Sequence, residues 1–471
     1  MTSTPDKHTR LAILLTGLVM ANVDVAIVNV ATPAIRDTFG ASGAELQLVV
    51  SGYLVAYAML LITAARLGQM LGYGRVFTVG AGVFTAASLA CGFAPNAATL
   101  IAARVVQGVG GALMVAQVLT GIQLNFAGQE RVKAIGSYAM ALSGAAVIGQ
   151  ILGGVIVSVD IVGTTWRPAF LINVPIGLVL IARARRFLPS APAQNTGGFD
   201  VKGVAALSVA VLSVLVPLIF GREQHWPVWT WLGLAASVPA WLLFARIERR
   251  VAVPLVDLSL VRQPVIGFGL LASGLALATY FGLLFVLALY LQQGLGKSPL
   301  YSGLVLVSWV AAFGLSGPLL RRVPTQRIAR VAVSGYIILA VSYIAVSLTH
   351  PEDWLLMVLL GLGGLGLGLG RNATVADMTS AAPERFAADM SGLINTDSQI
   401  AGAAGVALFG TLYLSLADTD PTSAFAWTSA GFAATALVSV VTALPALRQR
   451  STSDGRAEVP SSRVPAHAAA R

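Results

Sequence analysis

The 471 residues are 56% hydrophobic and only 11% charged, with a mean hydropathy of +0.80. An ordinary soluble domain carries about 25% charged residues, so this composition excludes a soluble domain with a tail and describes a polytopic membrane protein. The formal net charge of +10 does not signal nucleic acid, because the basic residues are scattered through short loops between apolar runs.

The chain opens on a short polar segment, 1–10. The first apolar run, 11–35, is longer than the roughly 7–15 residues of a signal-peptide core. It is long enough to cross a bilayer, which takes about 20 apolar residues. Asp24 lies near its middle. An ionised side chain at mid-membrane costs about 2.5–3.5 kcal/mol, so a chain that keeps one there uses it. Asn22, Ala26, Asn29 and Pro33 share one helical face, and Asp24 lies about 140–200° away from them. Polar groups on two faces leave little surface for lipid. The helix is therefore expected at the centre, with Asp24 made tolerable by a water-accessible passage. The competing reading is an Asp that only ties helices together.

Further runs of spanning length fall at about 46–66, 75–94, 97–119, 133–158, 166–187, 201–221, 226–246, 265–291, 301–320, 327–348, 354–376, 389–416 and 424–446, fourteen in all. With the N-terminus inside, the basic residues outside number only Arg36, Arg167, Arg222 and Lys297, with Arg104 within a span. That asymmetry predicts cytoplasmic N- and C-termini. Trp226, Trp229 and Trp231 are expected at the outer interface. Two longer polar segments bracket the pair 201–246. They divide the chain into a six-helix bundle (11–187), linkers with an inserted pair (188–264), a second six-helix bundle (265–447) and a disordered tail (448–471). A faint echo between 65–80 and 317–335, both basic loops, agrees with duplication. Cys91 is the single cysteine, so no disulfide framework or metal cluster is expected.

Arg104 lies at nearly the same depth as Asp24, about 5 Å apart by the helical rise. It shares a face with Gln107, Gly108 and Gly111. Arg104 is the expected partner that holds Asp24 ionised until a proton or cationic ligand competes; the alternative is an Arg snorkelling to headgroups. Gly149 and Gly153 stand at small-xxx-small spacing and let a neighbouring backbone approach. Gln150, between them, needs a partner. The run 361–370 holds a formal G-x-G-x-x-G, but inside a spanning segment it reads as close helix packing rather than a dinucleotide site. Asn395, Asp397 and Gln399 lie two to three turns inside a span, unless Asp397 is a wetted helix end. No P-loop, zinc or nucleophile-elbow motif is present, so neither an enzyme nor a cofactor is expected.

These pieces resemble one family along nearly the whole chain. ANVDVAIVNVATPAI, ARVVQGVGGAL, GQILGG, WRPAFLINVPIG and YLQQGLGKSPLYSG are similar to signatures of the major facilitator superfamily, in its fourteen-helix drug:proton antiporter branch. The resemblance implies an all-α membrane fold of two six-helix bundles plus an inserted pair. It also implies an antiporter motif carried by Gly149, Gly153 and Gly154. Two departures stand out. The loop after the second helix keeps Arg66, Gly68, Gly72 and Arg75, but Gln69, Met70, Tyr73 and Gly74 replace its usual Asp and basic residues. That leaves the family's usual charge-relay latch without its Asp. Gln150 stands where the antiporter motif has proline.

The expected function is a multi-pass transporter of the cell membrane, with a small molecule, protons and lipid as its partners. It would export a hydrophobic or cationic compound in exchange for protons. Asp24, Arg104 and Asp397 are the proton-coupling candidates. Asn29, Gln107, Asn395 and Gln399 are the substrate candidates, and Gly68, Gly72, Arg75, Gly149, Gln150, Gly153 and Gly154 the gating and packing candidates. An importer on the same fold, or a transport-inactive sensor, remains open at this point.

Overall fold

The computed structural model describes residues 7–159, 164–189, 201–251, 258–349, 353–382 and 386–457. Its fourteen spanning helices are α1 (Lys7–Phe39), α2 (Gly43–Leu71), α3 (Tyr73–Gly92), α4 (Ala97–Asn125), α5 (Gly128–Val159), α6 (Pro168–Phe187), α7 (Lys202–Gly221), α8 (Val228–Glu248), α9 (Pro264–Gly294), α10 (Pro299–Leu320), α11 (Ile328–Thr349), α12 (Trp354–Ala381), α13 (Gly392–Ala417) and α14 (Pro421–Pro445). Among the described residues there is no strand. The helix containing α14 runs on to Ala457, past the expected start of a tail at 448.

Local sequence sets the helix ends. Ser42 caps α2 by a reciprocal box: its Oγ accepts from the Glu45 amide at 3.2 Å, and its own amide donates to Glu45 Oε2 at 2.9 Å. Asn96 caps α4 through the Thr99 amide at 2.9 Å. Gly72 alone joins α2 to α3, at a φ of 92°. Only glycine takes that conformation without strain. The turn therefore survives the loss of its charged neighbours.

In the first half α1 packs on α4, α5 and α6, and α4 also takes α2 and α3. In the second half α9 packs on α13 and α14, and α12 on α10 and α11. The halves meet where α2 faces α13, α5 faces α10 and α1 faces α9. Of the inserted pair, α7 seats against α2 and α13 at that seam, while α8 packs on α7. Its most apolar window is only 11% buried, and Leu232, Val238, Leu242 and Leu243 face outward, as a lipid-facing helix requires. Trp226 and Trp231 lie 5.6 Å apart at the start of α8.

The glycine run at 361–370 is helical throughout. It lets α12 lie backbone-to-backbone on α11. A Cβ on Gly366 would stand 2.6 Å from the Leu339 amide nitrogen and 2.8 Å from the Gly335 carbonyl. Gly366→Val is expected to cost about 1–3 kcal/mol through overpacking. Thermal unfolding in detergent would show it as a lowered Tm, and an unchanged Tm would refute this packing.

We call the face on which α1 begins the N face and the opposite one the far face. At the far face the halves are tied together. The last turn of α9, Tyr290–Gly294, is a π-helical turn. Gln292 in that turn donates to the Val30 carbonyl at 3.0 Å. Its neighbour Gln293 accepts from Arg36 at 2.9 Å and donates to Asp37 at 3.3 Å. Gln47 and Thr411 are 3.3 Å apart. The Leu300 amide reaches Ser158 Oγ at 3.0 Å. Toward the N face, by contrast, α1 leaves Ala12 and Thr16 exposed.

Candidate functional site

Asp24 is the centre of a polar cluster drawn from five helices. Arg104 Nη1 of α4 donates to Asp24 Oδ2 at 2.5 Å. Gln107 Nε2, one turn along α4, donates to Asp24 Oδ1 at 2.8 Å. Asn173 Nδ2 of α6 donates to the same oxygen at 2.8 Å. Ser88 of α3 accepts from Gln107 at 2.8 Å. Arg104 also donates through Nη1 to Gln107 Oε1 at 2.6 Å and through Nε to the Val49 carbonyl of α2 at 3.0 Å. The guanidinium lies 4.5 Å from the Tyr53 ring centroid, a cation–π contact in a dry setting.

The carboxylate is 0% exposed and the guanidinium 1%. This corrects the expectation of a water-accessible passage at Asp24. The charge is made tolerable by its companions: one full ion pair and two further donors, sealed between helices. Arg104 does not snorkel. A buried pair of this kind adds little net stability, because desolvation offsets the attraction, but removing one partner is expensive.

The other predicted residues are distributed as follows. Asn29 is buried on α1, and its Nδ2 donates to the Val25 carbonyl at 2.8 Å, while Oδ1 has no protein partner. Gly149 faces Val23 and Ala26, and Gly153 faces Ile27 and Val30. Together they bring α5 against α1. Gly154 lies against Pro299 and Leu300 of α10. Gln150 is 0% exposed, and neither of its amide atoms has a protein partner. The need for a partner inferred from sequence is therefore unmet. Gly68 faces the side chain of Gln117, which donates to the Ala64 carbonyl at 2.7 Å. Arg75 is exposed at the N-face end of α3. At this face other contacts tie the helices. Lys7 and Glu130 pair at 2.6 Å. Arg10 donates to Asn125 at 2.7 Å, and Asn125 donates to the Tyr73 hydroxyl at 2.8 Å.

Asp397, Asn395 and Gln399 are not brought to Asp24; they belong to the second half. The helix carrying them begins at Ala387. Its spanning stretch begins at Gly392, which sets Asp397 about 7.5 Å inside the span by the helical rise, and the residue is partly exposed. Its carboxylate lies over Gly274 of α9, where a Cβ would stand 2.8 Å from Oδ1. Arg371 of α12, which the sequence reading passed over, is close enough to interact electrostatically with Asp397. Asn173, Gln292 and Gln293 were missed as well. All three lie in motifs that carry the family resemblance, and that was their only sequence signal.

Fourteen apolar helices in two packed halves, with a charged pair sealed inside the first, define a polytopic membrane protein. The sequence places it further. The model of the Major Facilitator Superfamily matches residues 14–406, and the chain belongs to that family. A probable actinorhodin transporter of Streptomyces coelicolor is 34% identical over 429 residues, covering 88% of this chain and 73% of that one. The methylenomycin A resistance protein of the same organism is 31% identical and covers 90% and 89%. The cephamycin export protein CmcT of Amycolatopsis lactamdurans is 35% identical and covers 86% and 84%. Among solved structures, an inward-facing, unoccupied bacterial homologue of the human lysosomal transporter Spinster matches with a TM-score of 0.65 at 17% identity, over 95% of this chain and 97% of that one. At that identity the likeness bears on the fold.

Proposed function

We propose that this protein is a proton-coupled exporter of a small compound, resident in the cell membrane with its N face in the cytoplasm. The observation that carries the reading is the sealed Asp24–Arg104 pair on α1 and α4, 2.5 Å apart. In the membrane interior such a pair is retained for a function rather than for stability. Asp24 is the proton-responsive group, Arg104 sets its ionisation, and Gln107 and Asn173 position both. Asp397 is a second titratable group. Asn29, Asn395 and Gln399 contact substrate along its path. The halves, 11–187 and 265–447, rock about the seam. Gly68, Gly72 and Arg75 shape the N-face turn, Gly149 and Gly153 hold α5 on α1, and Gln150 and Gly154 form the far-face gate against α10. The membrane potential supplies roughly 2.3 kcal/mol per charge per 100 mV.

The relatives' names choose the first compounds: actinorhodin, methylenomycin A and a cephamycin. Purified protein in proteoliposomes is given an imposed pH gradient and a trapped pH dye. Saturable collapse of the gradient on adding one of these compounds is the expected result. Compound flux that ignores the gradient would overturn the coupling.

A further inference from the structure

The two charged clusters are satisfied very differently. Around Asp24 both carboxylate oxygens have donors. In the second half, Asp397 Oδ2 and Arg371 Nε are buried with no protein partner. A buried polar group without a partner is costly and asks for an explanation. Arg371 and Asp397 sense each other's charge, yet no ion pair forms between them. Both residues as a whole stay partly exposed.

The arrangement is held in place. Arg371 Nη2 donates to Ser398 Oγ at 2.9 Å, and that hydroxyl donates onward to the Ile394 carbonyl at 2.6 Å. Beside it the Tyr336 hydroxyl and Thr374 Oγ1 are 3.0 Å apart. Tyr138 of α5, from the first half, is within electrostatic range of Arg371. The site lies on α12 and α13, and α13 packs on α2 at the seam between the halves.

We propose that Arg371 and Asp397 form a substrate subsite for a compound of zero net charge that presents a hydrogen-bond acceptor beside a hydrogen-bond donor. Arg371 Nε–H takes the acceptor and Asp397 takes the donor. A cation meets the guanidinium as a like charge. An anion meets the carboxylate as one. Only a neutral ligand with both groups satisfies both side chains without repulsion. This inference rests on the exporter reading, deepens it by naming a substrate class, and replaces the hydrophobic-or-cationic class expected from sequence.

Three probes on one ring system test it: 3-hydroxy-2-naphthamide (neutral), 3-hydroxy-2-naphthoate (anion) and 2-naphthyltrimethylammonium (cation). Each is measured by equilibrium dialysis against purified full-length protein in detergent at pH 7.5. The neutral probe is expected to bind at least tenfold more tightly than either charged one. Arg371→Gln should weaken the neutral probe about tenfold and shift the preference toward the cation. Asp397→Asn should shift it toward the anion. Opposite shifts cannot come from a merely structural role. Arg371→Lys, which keeps the charge, should leave the cation excluded. Should a variant fail to fold, the preference of the unaltered protein still decides. Equal binding of all three probes, or the same preference in both variants, overturns the subsite. The measurement needs no transport. If it fails while flux follows the pH gradient, the subsite falls and the exporter stands; if selectivity holds but flux ignores the gradient, the subsite stands and the proton coupling falls.

Discussion

Asp24→Asn is expected to abolish proton-coupled flux and to destabilise the protein at the same time. From the first helix alone, the expectation is loss of coupling with folding intact. The structure adds the second effect. Arg104 is 1% exposed and its guanidinium has no carboxylate other than Asp24 among the described ion pairs. With Asn in that place a full charge stays buried with no counter-charge. Breaking a buried pair from one side costs about 3–5 kcal/mol. The neutral side chain keeps the size and some hydrogen bonds with Gln107 and Asn173, so the loss is electrostatic rather than a cavity.

The double variant Asp24→Asn/Arg104→Gln separates the two effects. Removing both charges removes the penalty, so most of the lost thermal stability should return. Flux driven by an imposed pH gradient should not. Thermal unfolding followed by tryptophan fluorescence and gradient-driven flux are both read on wild type, the two single variants and the double. Coupled flux in the double variant would make the pair structural. A single variant with unchanged Tm and flux would remove Asp24 from the mechanism altogether.

What was legible in the sequence depended on what periodicity can carry. Asp24 and Arg104 were paired by depth, because helical rise converts residue number into height. Gly149 and Gly153 were placed against a neighbour because small-residue spacing fixes a face. Neither rule says who else reaches a charge. Asn173 follows a break at Ile172, between Pro168–Leu171 and Asn173–Phe187, and an interrupted helix has no readable phase. Gln292 and Gln293 meet α1 only because the end of α9 widens into a π-helical turn, which has no compositional mark. Arg371 follows directly on the glycine run, whose packing explanation concealed it. The passage at Asp24 was inferred from the cost of one charge, without knowing that three donors would share it.

Gln150→Leu is expected to stabilise the closed far face and to slow turnover. Gln150 sits on α5 where its carbonyl meets Gly303 of α10, at the contact between the halves. It is 0% exposed and both amide atoms lack a protein partner. An unsatisfied buried amide side chain costs about 1–3 kcal/mol. If the far face opens by separating α5 from α10, the amide gains solvent and the cost vanishes. The penalty therefore acts on the closed state only, and it biases the protein toward opening. Leucine fills a similar volume with no polar group to satisfy. A gain of about 1–3 kcal/mol moves the open–closed equilibrium roughly 5- to 150-fold toward closed. Spin labels at Phe93→Cys and Thr419→Cys, both exposed at the far face, in a Cys91→Ser background, report the separation of the halves. Gln150→Leu should collapse their distance distribution onto its shortest component and lower the rate of gradient-driven flux. An unchanged distribution would show that the amide finds its partners in the closed protein, and Gln150 would then have no part in setting the balance between the two states.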